Sequence, residues 1–341
     1  MSDALQRATT SVRAVFLYLH VLVRVGQLHV LRRLRDGRQS AVLLQEFCRG
    51  RIYATVLNKP LQVQMGKTLK YETSRNYVLD MIDRVAQEMY LKVRDSWLLP
   101  DVVSEIQRVL QEQPRYFFWQ QDRVMEELEN IFSGVPEMTS NFLGNLYNVQ
   151  SASYKVPMLA PCAIHRDNVF HVDSNMNVTC GSTTVFGNPI FFHEAEDYVN
   201  YATVGFLYGL SIRGNMRLSD SNVHSTDYLR NVLCLGNERS NLEVGSVYDL
   251  EEVIHHVLSL SSALKASESV HPFRHRLELQ MFFRRACYVL CSTHPDRAGA
   301  PFQLTPRQRC NLAVRHNRLF HAAFRCDPRN RLASIEACQL V

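Results

Sequence analysis

The stretch Val199-Asn200-Tyr201-Ala202-Thr203-Val204-Gly205-Phe206-Leu207-Tyr208-Gly209-Leu210-Ser211-Ile212 carries no charged side chain. With Tyr198 in front it is almost wholly apolar, yet it falls short of the ~20 residues that cross a bilayer. A helix apolar on every side has to be surrounded by protein. The stretch therefore predicts a buried helix, and the rest of the chain has to supply amphipathic elements to wrap it.

Such elements lie on both sides. Between Tyr71 and Val93, the residues Val78, Met81, Ile82, Val85, Met89 and Val93 recur at helical spacing on one face, and Thr73 or Ser74 can cap the start. Pro100 and Asp101 open a helix carrying Val102, Val103, Ile106, Val109 and Leu110, and Pro114 stops it. Ser133–Ser151, with its Gly, Pro, Asn and Ser, reads as a connection. Val178–Phe186 is rich in Thr and Val between Gly181 and Gly187, which suits a short strand. Asp249 can cap a helix through Leu264 with Leu250, Val253, Ile254, Val257 and Leu258 inward, and Leu277–Leu290 forms another. Ser11–Gly50 is helical in pattern, while Cys291–Val341 is irregular apart from a helical turn at Asn317–Phe324. The expected class is mainly α with a small β element, organised as a helical region over 1–145 and a second domain over 146–341.

Composition narrows the function. In 341 residues, 46% are hydrophobic and 21% charged, enough for a core and unlike a disordered chain. The net charge of +5 is mild, and the Lys and Arg read as scattered, which argues against nucleic acid. The densest basic stretch, Arg24–Arg38, fits a helix with a solvated face. Ala14–Leu31 is interrupted by Arg24, Gln27 and two histidines, so it predicts neither a membrane span nor a secretory leader. Such a start implies the cytoplasm, whereas nine cysteines suggest an oxidising compartment. The localisation stays open.

Direct searches for chemistry find little. Phosphate-loop, dinucleotide and nucleophile-elbow patterns are absent. His193 and Asp197 stand one helical turn apart, a spacing that suits a solvated pair better than a metal site. Glu251, Glu252, His255 and His256 form two i,i+4 pairs, expected on an exposed helix face, where each contributes about 0.2–0.5 kcal/mol.

Several stretches nonetheless match one pattern in order. Asn168-Val169-Phe170 is followed by Val185-Phe186-Gly187-Asn188-Pro189-Ile190-Phe191-Phe192, then by the buried stretch, and then by Gly245-Ser246-Val247-Tyr248-Asp249. The tail adds Met281-Phe282-Phe283-Arg284-Arg285-Ala286-Cys287, Arg309, Phe320-His321-Ala322-Ala323-Phe324-Arg325-Cys326 and Cys338-Gln339-Leu340-Val341. This series resembles the C-terminal half of the neprilysin and endothelin-converting enzyme family of zinc metallopeptidases. The resemblance covers residues 145–341, and more weakly Tyr71–Trp119. It implies a neprilysin-like, zincin-type helical domain, truncated at its N-terminus.

What the resemblance implies for the site is a loss. Where the family has HExxH, this chain has Leu210-Ser211-Ile212-Arg213-Gly214. Both ligand histidines are thus replaced, by Leu210 and Gly214, and the general-base glutamate by Ser211. The third ligand falls at Gly245, and only the supporting aspartate remains, as Asp249. A transition-state histidine falls near Gln303. Catalytic zinc needs three protein ligands and lowers the pKa of its water from about 15.7 to about 7. An aliphatic side chain and two glycines offer no lone pair. Zinc is therefore expected to be absent and hydrolysis lost, leaving a peptide-sized cleft with Asn168, Phe170 and Arg309 as binding residues and a peptide or protein as ligand. The resemblance also implies a Cys234–Cys338 disulfide, and places the partners of Cys291 and Cys326 in the part of the family's length that this chain lacks. Two alternatives stand beside this reading: an active zinc metallopeptidase built on Glu251, Glu252, His255 and His256, and an unrelated helical interaction protein.

Overall fold

The computed structural model describes residues 63, 69–96, 98, 100–117, 123–137, 139–140, 142–155, 169–173, 178–187, 189–212, 247–290 and 305–326. The periodic segment after Tyr71 forms α1, Leu69–Arg94, and all six of its predicted core residues are buried. Thr73 and Ser74 lie inside this helix, and Ser74 shares a hydrogen bond of 3.0 Å with His193 Nδ1 in place of capping. The second helix, α2, runs Pro100–Gln107 and widens into a π turn at Arg108–Glu112 that buries Val109 and Leu110. Gln113 leaves in extended conformation just before Pro114.

Three short strands make the β element: β1 Arg115–Phe117, β2 Phe170–Asp173 and β3 Val178–Gly181, in the order β1-β3-β2. The strand expected over Val178–Phe186 ends at Gly181, and the chain tightens into a 3₁₀ turn over Thr183–Phe186. At Gly181 a Cβ would stand 2.3 Å from the Phe117 ring, so only glycine fits there.

The described residues group into two units. The smaller draws on Tyr116–Asn168 and Cys180–Thr183 and holds α3, Arg123–Ser133, and α4, Phe142–Lys155. The connection expected at Ser133–Ser151 is shorter than predicted, because α4 occupies most of it. The buried Asn145 side chain accepts from the Thr139 N–H at 3.0 Å and donates to the Thr139 carbonyl at 2.6 Å, which fastens the entering loop to the helix. Polar composition suggested a loop, and a local hydrogen-bond pair makes it a helix start.

The larger unit draws on Glu72–Arg115, Val169–Thr179 and Thr184–Val341. The charge-free stretch lies here as α5, Asp197–Asn200, a π turn Tyr201–Gly205, and α6, Phe206–Ser211. Every residue from Val199 to Phe206 is buried, as predicted. It is wrapped by α1 and by α7, Val247–Val270. Asp249 sits inside α7 and is not its cap. The tail holds α8, Arg276–Tyr288, then α9, Pro306–Arg315, and α10, Arg318–Phe324. The helix α9 corrects the irregular reading of the tail: Thr305 and Gln308 form a capping box around Pro306 in the first turn. No helix among the described residues is long and apolar enough to cross a membrane.

Candidate functional site

The buried stretch meets α7 through its smallest residues. A Cβ on Gly209 would lie 2.7 Å from Ser259 Cβ and 3.1 Å from Ser259 Cα, and one on Gly205 would lie 3.1 Å from Val85 and 3.6 Å from Ala263. Two glycines one turn apart thus face Ser259 and Ala263, also one turn apart, and the helices cross at backbone contact. The π turn enters this crossing through Gly205, and such turns are frequent at functional sites. Asn200 holds the preceding loop by bonding both the N–H and the carbonyl of Phe192 at 2.9 Å.

The end of the helix is set by Tyr208. Its hydroxyl accepts from Arg115 Nε at 2.9 Å, while Arg115 Nη1 reaches Asp83 at 2.6 Å and Nη2 donates to the Leu110 carbonyl. Burial pushes the Tyr208 phenol up, and the adjacent guanidinium opposes that shift. Burial likewise raises the Asp83 carboxyl against the pull of Arg115. Phe170 packs edge-on against Tyr208, ring centroids 5.7 Å apart, and is itself buried. Leu210 and Ser211 follow directly, and Ser211 Oγ donates to the Tyr208 carbonyl at 2.7 Å, a local helix bond.

On α7, Glu252, His255 and His256 are 5%, 1% and 5% exposed. The exposed-face reading is therefore overturned for these three residues, while the side chain of Glu251 lies outside the described ones. His256 Nδ1 donates to the Glu252 backbone carbonyl at 2.7 Å, and its ring meets Phe206 edge-on at 6.2 Å. Glu252 Oε1 lies 2.7 Å from Arg309 Nε on α9. The Nε–H does not point along that line, so the contact is an ion pair by distance and not an aligned hydrogen bond. No sequence signal joined these two residues, which stand in different helices. His193 and Asp197 are each taken up by α1, His193 by Ser74 and Asp197 by the Tyr77 hydroxyl at 2.5 Å.

Among the described residues, no group of three His, Cys, Asp or Glu side chains could hold a metal ion. Asn168, Gly214, Gly245, Gln303, Cys234 and Cys338 lie outside the described residues, as do Cys291 and the side chain of Asp249. A disulfide not anticipated from sequence, Cys287–Cys310, ties α8 to α9, and Cys326 is free.

The described residues are mostly helical with a small three-stranded sheet, the fold class of the neprilysin-like helical zincin domains. Solved structures bear this out at the level of fold. The Mycobacterium tuberculosis zinc metalloprotease Zmp1 in complex with an inhibitor matches at TM-score 0.56 and 15% identity, over 88% of this chain and 50% of that one. Its open state matches at 0.55 and 16%, over 88% and 52%. PepO from Lactobacillus rhamnosis HN001 (DR20) matches at 0.63 and 13%, over 90% and 55%. This chain thus spans about half the length of these structures. No protein-family model matches the sequence. No curated protein matches it either.

Proposed function

We propose that the chain is a neprilysin-type metallopeptidase-like protein that binds peptides and does not cleave them. One observation carries the reading. The glycine-packed buried helix ends in Leu210 and Ser211, the positions that the sequence resemblance matches to the family's histidine and glutamate. Leu210 has no lone pair for a metal, and Ser211 spends its hydroxyl on the helix backbone. Gly214 and Gly245 bring no side chain at all. The residues present do not fit zinc, so no hydrolytic step is assigned. Losing the general base alone costs about 10²–10⁴-fold in rate.

Peptide binding rests on Arg309 and Asn168. The Arg309 guanidinium lies beside the buried Glu252 and is 31% exposed, so it can offer its amino groups to peptide carbonyls. Tyr208 and Phe170 supply the apolar packing behind the helix end. The test is metal analysis of the purified protein, together with cleavage and binding of a mixed peptide library. The expected result is no stoichiometric zinc, no chelator-sensitive cleavage, and peptide binding weakened about tenfold by Arg309→Met, equal to about 1.4 kcal/mol. Stoichiometric zinc with chelator-sensitive cleavage overturns the loss of catalysis, and a library that does not bind overturns the peptide reading.

A further inference from the structure

The positive charge of this protein is concentrated, although the sequence reads as scattered. Residues 271–341 hold 12 arginines, no lysine and 4 acidic residues, a net +8 in a chain of net +5, so everything before them is net acidic. Within this region α8, α9 and α10 each carry an arginine in the first turn: Arg276, Arg307 and Arg318. All three are exposed, and none pairs with a carboxylate among the described residues. A cation at a helix N-terminus opposes the helix dipole, so the fold gains nothing from this placement.

An apolar stripe follows Arg276 along α8. Leu277, Met281 and Tyr288 on α8 are 71%, 41% and 52% exposed, and the spacing 277, 281, 284, 288 puts all three with Arg284 on one helix face. The opposite face buries Phe282, Phe283 and Ala286. Arg284 lies 5.9 Å over the Phe324 ring, which joins the stripe to the end of α10, where Arg325 follows. From Leu277 to Tyr288 the helix rises about 16 Å, roughly three turns.

We propose that this face of α8, with the adjoining edge of α10, docks an acidic amphipathic helix of a partner polypeptide. Leucine-type side chains at i, i+4 and i+7 of the partner would pack on Leu277, Met281 and Tyr288, and its flanking carboxylates would meet Arg276, Arg284 and Arg325 in the forked pairing that guanidinium favours. A periodic apolar stripe between the charges favours a polypeptide over nucleic acid, whose phosphates would leave it uncovered.

The probe is a synthetic 20-residue helical peptide with leucines at that spacing and glutamates beside them, compared with a sequence-scrambled peptide of equal charge, anionic phospholipid vesicles and a DNA oligonucleotide. The amphipathic peptide is expected to bind saturably, at least about tenfold tighter than the scrambled one, and to weaken as salt rises. Met281→Glu and Arg276→Glu should each weaken it at least tenfold. Arg276→Glu places a carboxylate in the first turn of α8, where it favours the helix, so a retained melting temperature separates lost docking from lost folding. Equal binding of both peptides, no saturable peptide binding, or binding by vesicles or DNA with none by the peptide overturns the proposal.

Discussion

A carboxylate as enclosed as Glu252 holds its charge at a cost in desolvation, and the guanidinium of Arg309 offsets that cost from a neighbouring helix. The offset exists only while both partners are present. Arg309→Met should therefore destabilise the protein by about 3 kcal/mol, since it takes the Arg309 guanidinium away from the buried carboxylate. Glu252→Gln should cost less, because Arg309 is partly exposed and water can solvate it. The double variant should lie closer to the wild type than the two single losses added together, a coupling that urea denaturation of the four proteins measures. Strict additivity would mean that the contact carries no energy. Nothing in the sequence showed this pair. Glu252, His255 and His256 stand at spacings that look like a solvated face, and only the packing of the other helices on α7 reverses that reading. Burial of a polar residue is decided by its neighbours across the core, which a local spacing rule does not see.

At the scale of elements, periodicity was a good guide and composition a poor one. The apolar positions of α1 were legible to the residue, because a long helix with one buried face repeats its signal over six positions. The helix α4 was hidden by Asn, Gly and Ser, whose turn preference Asn145 satisfies within the helix's own start. The start of α9 was present as Thr305-Pro306-Arg307-Gln308, a capping box that the arginine-rich surroundings obscured. The crossing of α6 on α7 was half legible: the charge-free stretch announced burial, but the need for glycine at 205 and 209 follows only from Ser259 and Ala263 opposite. A methyl group at 209 must displace the backbone of α7. Gly209→Ala should consequently destabilise the fold by about 1–3 kcal/mol, despite its better helix propensity. Ser259→Gly removes the Cβ it would strike and should restore part of that loss. A Gly209→Ala protein that melts at or above the wild-type temperature would show that the helices are not in backbone contact.

Across the larger unit, three phenols hold the buried helix to its surroundings. Tyr77 of α1 donates to Asp197, Tyr201 lies in the π turn, and Tyr208 accepts from Arg115. All three are shifted the same way. Burial, joined by the Asp197 carboxylate, holds Tyr77 well above the ordinary phenol range. Burial pushes Tyr201 up to about 12, with Asp197 and Asp80 adding to the shift and Arg84 opposing it. Burial also raises Tyr208. The folded protein thus favours the neutral phenol, whereas an unfolded tyrosine ionises near pH ~10. The sign follows directly: this contribution to stability is complete below about pH 10 and is lost as pH climbs through about 12, because the unfolded chain releases its protons first. Urea midpoints should therefore hold steady up to about pH 9.5 and fall progressively above it, beyond the loss expected from general alkaline repulsion. Tyr201→Phe, which has no proton to release, should show a shallower fall than the wild type over the same range. Phenolate absorbance recorded with the helical signal provides the check: ionisation of these tyrosines should accompany unfolding. A protein whose tyrosines all titrate near pH ~10 with its helices intact would show that the phenols are open to solvent and that the helix end is not sealed.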